Sequence, residues 1–315
     1  MTAHDPRIVP TLESLILLQH DARGFSFLHR QPVTSLLAGR RASRIRGRGL
    51  SFEELRAYRP GDDIRMIDWR ASARTGRTQT RVFTEERDRP TLLVVNMTGG
   101  TFFGTKHATK TAIIAQTAAL AAWRCLQSGD RVGAIVFGDD SLDEFRPLRS
   151  RAGVMRVLGA IATRAEALSG AMARPVSPAP LNDALRKAER IVGHDWLVLL
   201  VSDLNAADEE STAILGRISR HNDVVAVAVS DPIERALPAS PWRGIATDGT
   251  RRGVLDPARG GLDARVRQGH AARLVFLREN GLRLQTPVLP IGTEEQAAPQ
   301  LRRMLGSAAA PRARR

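Results

Sequence analysis

Cysteine is almost missing from this 315-residue chain: Cys125 is the only one. An intramolecular disulfide and a cysteine metal cluster are therefore excluded, which suits a reducing cytosol. Lysine is nearly as rare. Lys106, Lys110 and Lys187 stand alone, so arginine supplies the other 44 of the 47 basic residues. A GC-rich genome produces that bias as readily as function does, and arginine number by itself argues for neither. Aromatic residues make up only 4% of the chain, which leaves Leu, Val, Ile and Ala to fill the core. The seven histidines show no H-x-x-x-H metal spacing. No apolar run reaches the roughly 18 residues of a membrane span. The longest, "TAIIAQTAALAAWRCL", holds Gln116 and Arg124 and is bordered by Lys110, as in a helix packed within a soluble core. Cys125 sits in that helix and reads as a small core residue. At the N-terminus "TLESLILLQH" is interrupted by Glu13 and Ser14 without a preceding basic region, so no cleavable signal is expected. The expectation is a soluble, cytoplasmic protein.

Catalytic signatures are equally scarce. No Ser–His–Asp set or paired carboxylates rise above background. "GTKHATKT" at 104–111 lacks the G-x-x-x-x-G-K-[ST] spacing of a phosphate-binding loop. Asn96-Met97-Thr98 matches a glycosylation sequon by accident of a strand end.

What is present is a strong α/β pattern. The chain is 43% apolar, enough for one large domain and a smaller one at about 100–200 residues each. From Leu92 onward short apolar runs alternate with helical stretches: "TLLVVN", then a helix from "KHATK" to Gly129, then "DRVGAIVFG" and an edge strand "SLDEFRPL". The helices "AGVMRVLGAIATRAEAL" and "LNDALRKAERIV" follow, then "DWLVLLVSD", a helix around "DEESTAILGRISR", "DVVAVAVSD", and a last strand at "LRLQTPVLP". Unalternated apolar runs mark strands covered on both faces, and their alternation with helices predicts a doubly wound, mostly parallel sheet. Thr293 and Gln296 have capping-box spacing, but Pro299 would break a helix begun there, so the last helix should start nearer Pro299.

The stretch before Leu92 has a different character. Residues 40–89 contain 14 arginines and 8 acidic residues, a local net of +6. The expected division is an N-terminal module over 1–89, an α/β domain over 90–305 and a disordered basic tail over 306–315. Within "EELRAYRPGDDIRMIDWRASAR", Pro60-Gly61 suits a type II turn, after which Asp62 or Asp63 would cap a short helix with Ile64, Ile67 and Ala71 on one face. Arg56, Arg59, Arg65, Arg70 and Arg74 alternate with Asp62, Asp63 and Asp68, as in a structural ion-pair network. The other reading is a partner-docking surface anchored by Tyr58 and Trp69. A second candidate site lies at the carboxyl edge of the sheet, where "NMTGGT" and "SDLNAAD" converge if strands 91–96 and 196–202 are neighbours. Asp203 would face that crevice or cap a helix.

"GRGLSFEELRAYRPGDDIRMIDWRASAR", followed by a hydrophobic strand, a "GTK" helix, "GDRVGAIVF", "LVSDL" and "VSDPIERALP", resembles a bacterial family, domain of unknown function 58. These are von Willebrand factor A-like proteins associated with MoxR-type AAA+ ATPases, and the resemblance runs from about Gly39 to Pro290. It implies a von Willebrand factor A-like Rossmann sheet with a family-specific N-terminal module. It also implies a MoxR-type ATPase as partner in assembling or activating other complexes. Domains of this type can bind Mg²⁺ or Mn²⁺ through Asp-x-Ser-x-Ser, a Thr and an Asp. Matched residue by residue, the positions here are Asn96, Thr98, Gly100, Ala179 and Asp203. One carboxylate with neutral oxygens is a poor site for so strongly hydrated an ion, so no metal and no cofactor are expected, with weak Mg²⁺ binding left open. The reading is a non-enzymatic adaptor whose docking module carries Arg56, Tyr58, Arg59, Asp62, Asp63, Arg65, Asp68, Trp69 and Arg74. The alternative, prompted by the net charge of +14, is nucleic-acid or polyanion binding.

Overall fold

The computed structural model describes residues 5–27, 50–58, 64–85, 89–171, 174–237, 244–247, 252–255 and 261–306. The chain divides into two units, Ser43–Asp88 and the remainder, Met1–Ala42 with Arg89–Arg315. The first described residues, 5–27, belong with the larger unit. Helix α1 (Leu12–Leu17) buries Leu15, whose carbonyl accepts the indole N–H of Trp123 at 3.1 Å. Thr109 holds the same segment by donating its amide to Arg7 O and its hydroxyl to Ile8 O, both at 2.9 Å.

In the smaller unit, β1 (Leu50–Ala57) and β2 (Gln79–Glu85) pair antiparallel. Between them lie a single 3-10 turn, Ile64–Met66, and helix α2 (Trp69–Thr75). Asp62 and Asp63, expected as caps, lie outside the described residues; α2 is capped by Asp68, whose Oδ1 accepts the amides of Arg70 at 3.0 Å and Ala71 at 2.9 Å. The chain cannot run helically from Ile64 to Ala71 because Ile67 forms a bridge to Thr80. Helix α2 ends at Gly76 in the left-handed region (φ 67).

The larger unit is built on six strands. They are β3 (Thr91–Asn96), β4 (Val132–Phe137), β5 (Leu142–Leu148), β6 (Leu197–Ser202), β7 (Asp223–Ser230) and, past a separate hairpin, β10 (Val288–Gly292). The hairpin strands are β8 (Gly244–Thr247) and β9 (Arg252–Leu255). The sheet order is β10-β7-β6-β3-β4-β5, parallel except for edge strand β5. This is the expected α/β class, and strands 91–96 and 197–202 are indeed neighbours.

Side chains alternate along each central strand between two cores. Leu93 and Val95 face α3 (Lys110–Gln127), α4 (Arg151–Ser169) and α9 (Ala297–Leu305). Leu92 and Val94 face α5 (Ala179–Ile191), α6 (Glu209–Ile218) and Leu277 of α8 (Leu262–Leu284). Covering both faces is what permits the uninterrupted apolar runs. Helix α9 begins after Gln296, leaving Pro299 in its first turn, where the missing amide costs nothing. The expected strand "LRLQTPVLP" begins late, because residues 282–284 finish α8 before the chain turns through Gln285 (φ 53). The tail expected to be disordered falls, apart from Gly306, outside the described residues.

Candidate functional site

At the carboxyl edge, β3 and β6 adjoin and their successors diverge to opposite sides, which makes this the switch point of the sheet. Asn96 closes β3 and is buried. Its Nδ2 donates to Ser202 Oγ at the end of β6 (2.9 Å), while its Oδ1 accepts the Thr98 amide (2.9 Å). The amine half thus ties the two strand ends together, and the carbonyl half fixes the turn that leaves β3. The loop continues through Gly99, whose amide donates to Asp139 Oδ2 at 2.9 Å. Thr101 bonds Thr98 O and the Thr111 hydroxyl.

The centre of the crest is an amine. Lys110 is the first residue of α3, where Thr109 supplies the cap. A cation there opposes the positive end of the helix dipole. Nevertheless the side chain is 3% exposed, and its Nζ donates to Asp203 Oδ2 and Glu234 Oε1, each at 2.8 Å. Asn205 Nδ2 spans the same carboxylates, at 3.0 Å from Asp203 Oδ2 and 3.3 Å from Glu234 Oε1. Burial alone would push the Lys110 amine down, but the two carboxylates outweigh it and hold the amine above the ordinary lysine value.

A second knot lies alongside. Asp231 is fully buried. It accepts the Thr105 amide (2.9 Å) and hydroxyl, the Thr293 hydroxyl (2.5 Å) and the Ile233 amide (3.0 Å). Burial favours its neutral form, yet these four donors hold its carboxyl below the usual aspartate value. Glu234 closes the capping box of α7 (Pro232–Arg235) by accepting the Asp231 amide. Loops after β3, β6, β7 and β10 are therefore joined through Lys110, Asp203, Asp231, Glu234 and Thr293.

The site positions matched by resemblance separate into two groups. Asn96 and Thr98 lie on the β3 loop, and Asp203 faces Lys110. Ala179 instead lines a cleft of about 560 Å³ with Phe137, Asp139, Asp140, Arg174 and Asp183. Gly100 has room: an added Cβ would meet only Val176 Cγ2 at 3.6 Å. Asp203 does not remain a free charge facing the crevice, because the Lys110 ammonium neutralises it. The donor set does not fit a divalent ion, since the carboxylates converge on an amine already in place. Among the described residues no group of three His, Cys, Asp or Glu side chains is arranged to hold a metal.

Sequence reasoning missed Lys110, Asp231 and Glu234. Two signals were available: a lysine at a helix N-terminus in a chain that otherwise uses arginine, and the Asp-Pro-x-Glu spacing of a capping box.

In the smaller unit, Asp68 serves as the α2 cap, Trp69 is 67% exposed, and Arg74 is exposed while Tyr58 is half-buried. Arg65 is exposed on the 3-10 turn. Arg59, Asp62, Asp63 and the side chain of Arg56 lie outside the described residues.

The model of the family described as "Protein of unknown function DUF58" matches residues 54–256. Curated relatives include "Uncharacterized protein Rv1480" of Mycobacterium tuberculosis and "Uncharacterized protein Mb1516" of Mycobacterium bovis. Each is 29% identical over 234 residues, covering 74% of this chain and 68% of the relative. Solved structures with some likeness are a conserved hypothetical protein BatB from Bacteroides thetaiotaomicron (11% identity, TM-score 0.35) and an aerotolerance-related membrane protein from Bacteroides fragilis (13%, TM-score 0.37). Each match covers 69% of this chain and 98% of the other. Among the described residues no helix is long and apolar enough to cross a membrane.

Proposed function

The chain belongs to the DUF58 family of proteins of unknown function, and from that membership we propose a non-enzymatic, von Willebrand factor A-like adaptor for a MoxR-type AAA+ ATPase. Its work would be the assembly or activation of other protein complexes. The observation that carries the docking role is Trp69, 67% exposed on α2, a helix that also exposes Arg70 and Arg74. Exposed tryptophan and arginine are the residue types in which interface hot spots are enriched. The crest supports the non-enzymatic part, because the Lys110 amine and the Asp203 and Glu234 carboxylates are committed to one another and to Asn205. No cofactor or metal is assigned to it.

The test is capture of the MoxR-type ATPase from the same genome by wild-type protein, Trp69→Ala and Arg74→Glu, with folding checked by circular dichroism. Trp69→Ala should weaken binding by about tenfold or more. Equal capture by wild type and Trp69→Ala would remove α2 from the interface, and no capture by wild type would end the adaptor reading. The +14 charge keeps polyanion binding as the competitor. Gel-shift affinity for DNA or RNA that survives physiological salt would favour it.

A further inference from the structure

The Lys110 site has the geometry of a cation cage whose cation is part of the chain. Two carboxylates from different loops, Asp203 and Glu234, converge on one point, each at 2.8 Å from it. Asn205 is fixed against both by its side-chain amide, and its backbone amide donates to Asp203 Oδ1 at 3.2 Å. Without a positive charge between them, two converging carboxylates repel, and burial makes that repulsion costly. In a metal-dependent crest a divalent ion would supply the charge and cross-link the loops. Here the point is filled by an amine on a side chain 3% exposed, carried by the first residue of α3.

We infer that the Lys110 ammonium is a tethered substitute for a divalent cation, holding the loops after β3, β6 and β7 in register so that the crest needs no metal. This goes beyond the adaptor reading and is independent of which partner binds. Arg273 of α8 adds a positive charge that acts on both carboxylates, yet the point between them is held by the amine. The consequence is specific. Removing the amine while keeping both carboxylates should open the cage to a free ion, and Mn²⁺ is the natural probe because it accepts carboxylate, carbonyl and water oxygens.

The experiment is Mn²⁺ titration, followed by calorimetry and by loss of the free-ion paramagnetic signal. It compares full-length wild type, Lys110→Met, Lys110→Ala, and Lys110→Met combined with Asp203→Asn. Wild type should show no saturable uptake. Lys110→Met or Lys110→Ala should bind one Mn²⁺ at least about tenfold more tightly than wild type, and Asp203→Asn should abolish the gain. Saturable wild-type binding that disappears with Asp203→Asn would overturn the inference. So would a folded Lys110 variant that gains no Mn²⁺ binding. If no Lys110 variant folds, the wild-type melting temperature decides. Insensitivity to EDTA and to millimolar-range Mn²⁺ supports the tethered cation, whereas a rise with Mn²⁺ concentration refutes it.

Discussion

At the scale of single residues, the amine of Lys110 does what sequence matching assigned to nothing. Only three lysines occur in the chain, and this one is buried against two carboxylates. Lys110→Met should therefore destabilise the larger unit by about 2–4 kcal/mol in urea unfolding, because it strands the buried Asp203 beside the part-exposed Glu234. Adding Asp203→Asn and Glu234→Gln should recover much of the loss. A triple variant as unstable as the single one would show that shape, not charge, explains Lys110. Cys125 makes the opposite case, since nothing depends on its chemistry. Burial pushes its thiol up to about 12, so the native protein should not react with a thiol reagent at neutral pH until it is unfolded.

At the scale of elements, the central strands were legible because burial on both faces leaves an unmistakable composition. The long helices α3 and α4 were legible from their length and caps. Helix α8 was not, because "LDARVRQGHAARLVFLRENGLRL" puts arginines among its apolar residues and keeps few of them buried. The attachment of the N-terminal segment was not legible either, since it is a matter of hydrogen bonds to Thr109 and Trp123, which no local pattern announces. The candidate site was half legible. Strand adjacency placed Asp203 on the crest, but its partner lies 93 residues away in sequence. Gly133 illustrates a constraint that a strand pattern hides. An added Cβ there would lie 2.7 Å from Phe145 O and 2.9 Å from the Pro147 ring, where β5 shifts register against β4. Gly133→Ala should cost about 1–3 kcal/mol in chemical unfolding, whereas Gly159→Ala, with open space around it, should cost nothing or stabilise.

At the scale of the whole molecule, several shifts bear on the pH range of the crest: burial lowers His270 and Arg273, which face Glu234, and Lys110 and Asp231 shift in opposite directions. The Lys110 amine is raised on folding, so its contribution is complete below the unfolded lysine value of about 10.4 and fades as pH climbs through the higher folded one. Asp231 is lowered, so its contribution is complete above the unfolded aspartate value of about 3.9 and fades as pH falls through the folded one. Melting temperature followed across the acid and alkaline ranges should show a weaker acid limb in Asp231→Asn and a weaker alkaline limb in Lys110→Met. Both limbs unchanged in the variants would place the pH dependence elsewhere.

The scarcity of lysine then has a practical meaning. Lys106 is exposed, Lys187 is half-buried beside Glu144, and Lys110 is sealed. Brief acetylation of the native protein, read by peptide mass, should mark Lys106 first and Lys110 only when the crest opens. The molecule thus carries its own chemical clock for loop opening, at the sealed centre of the crest.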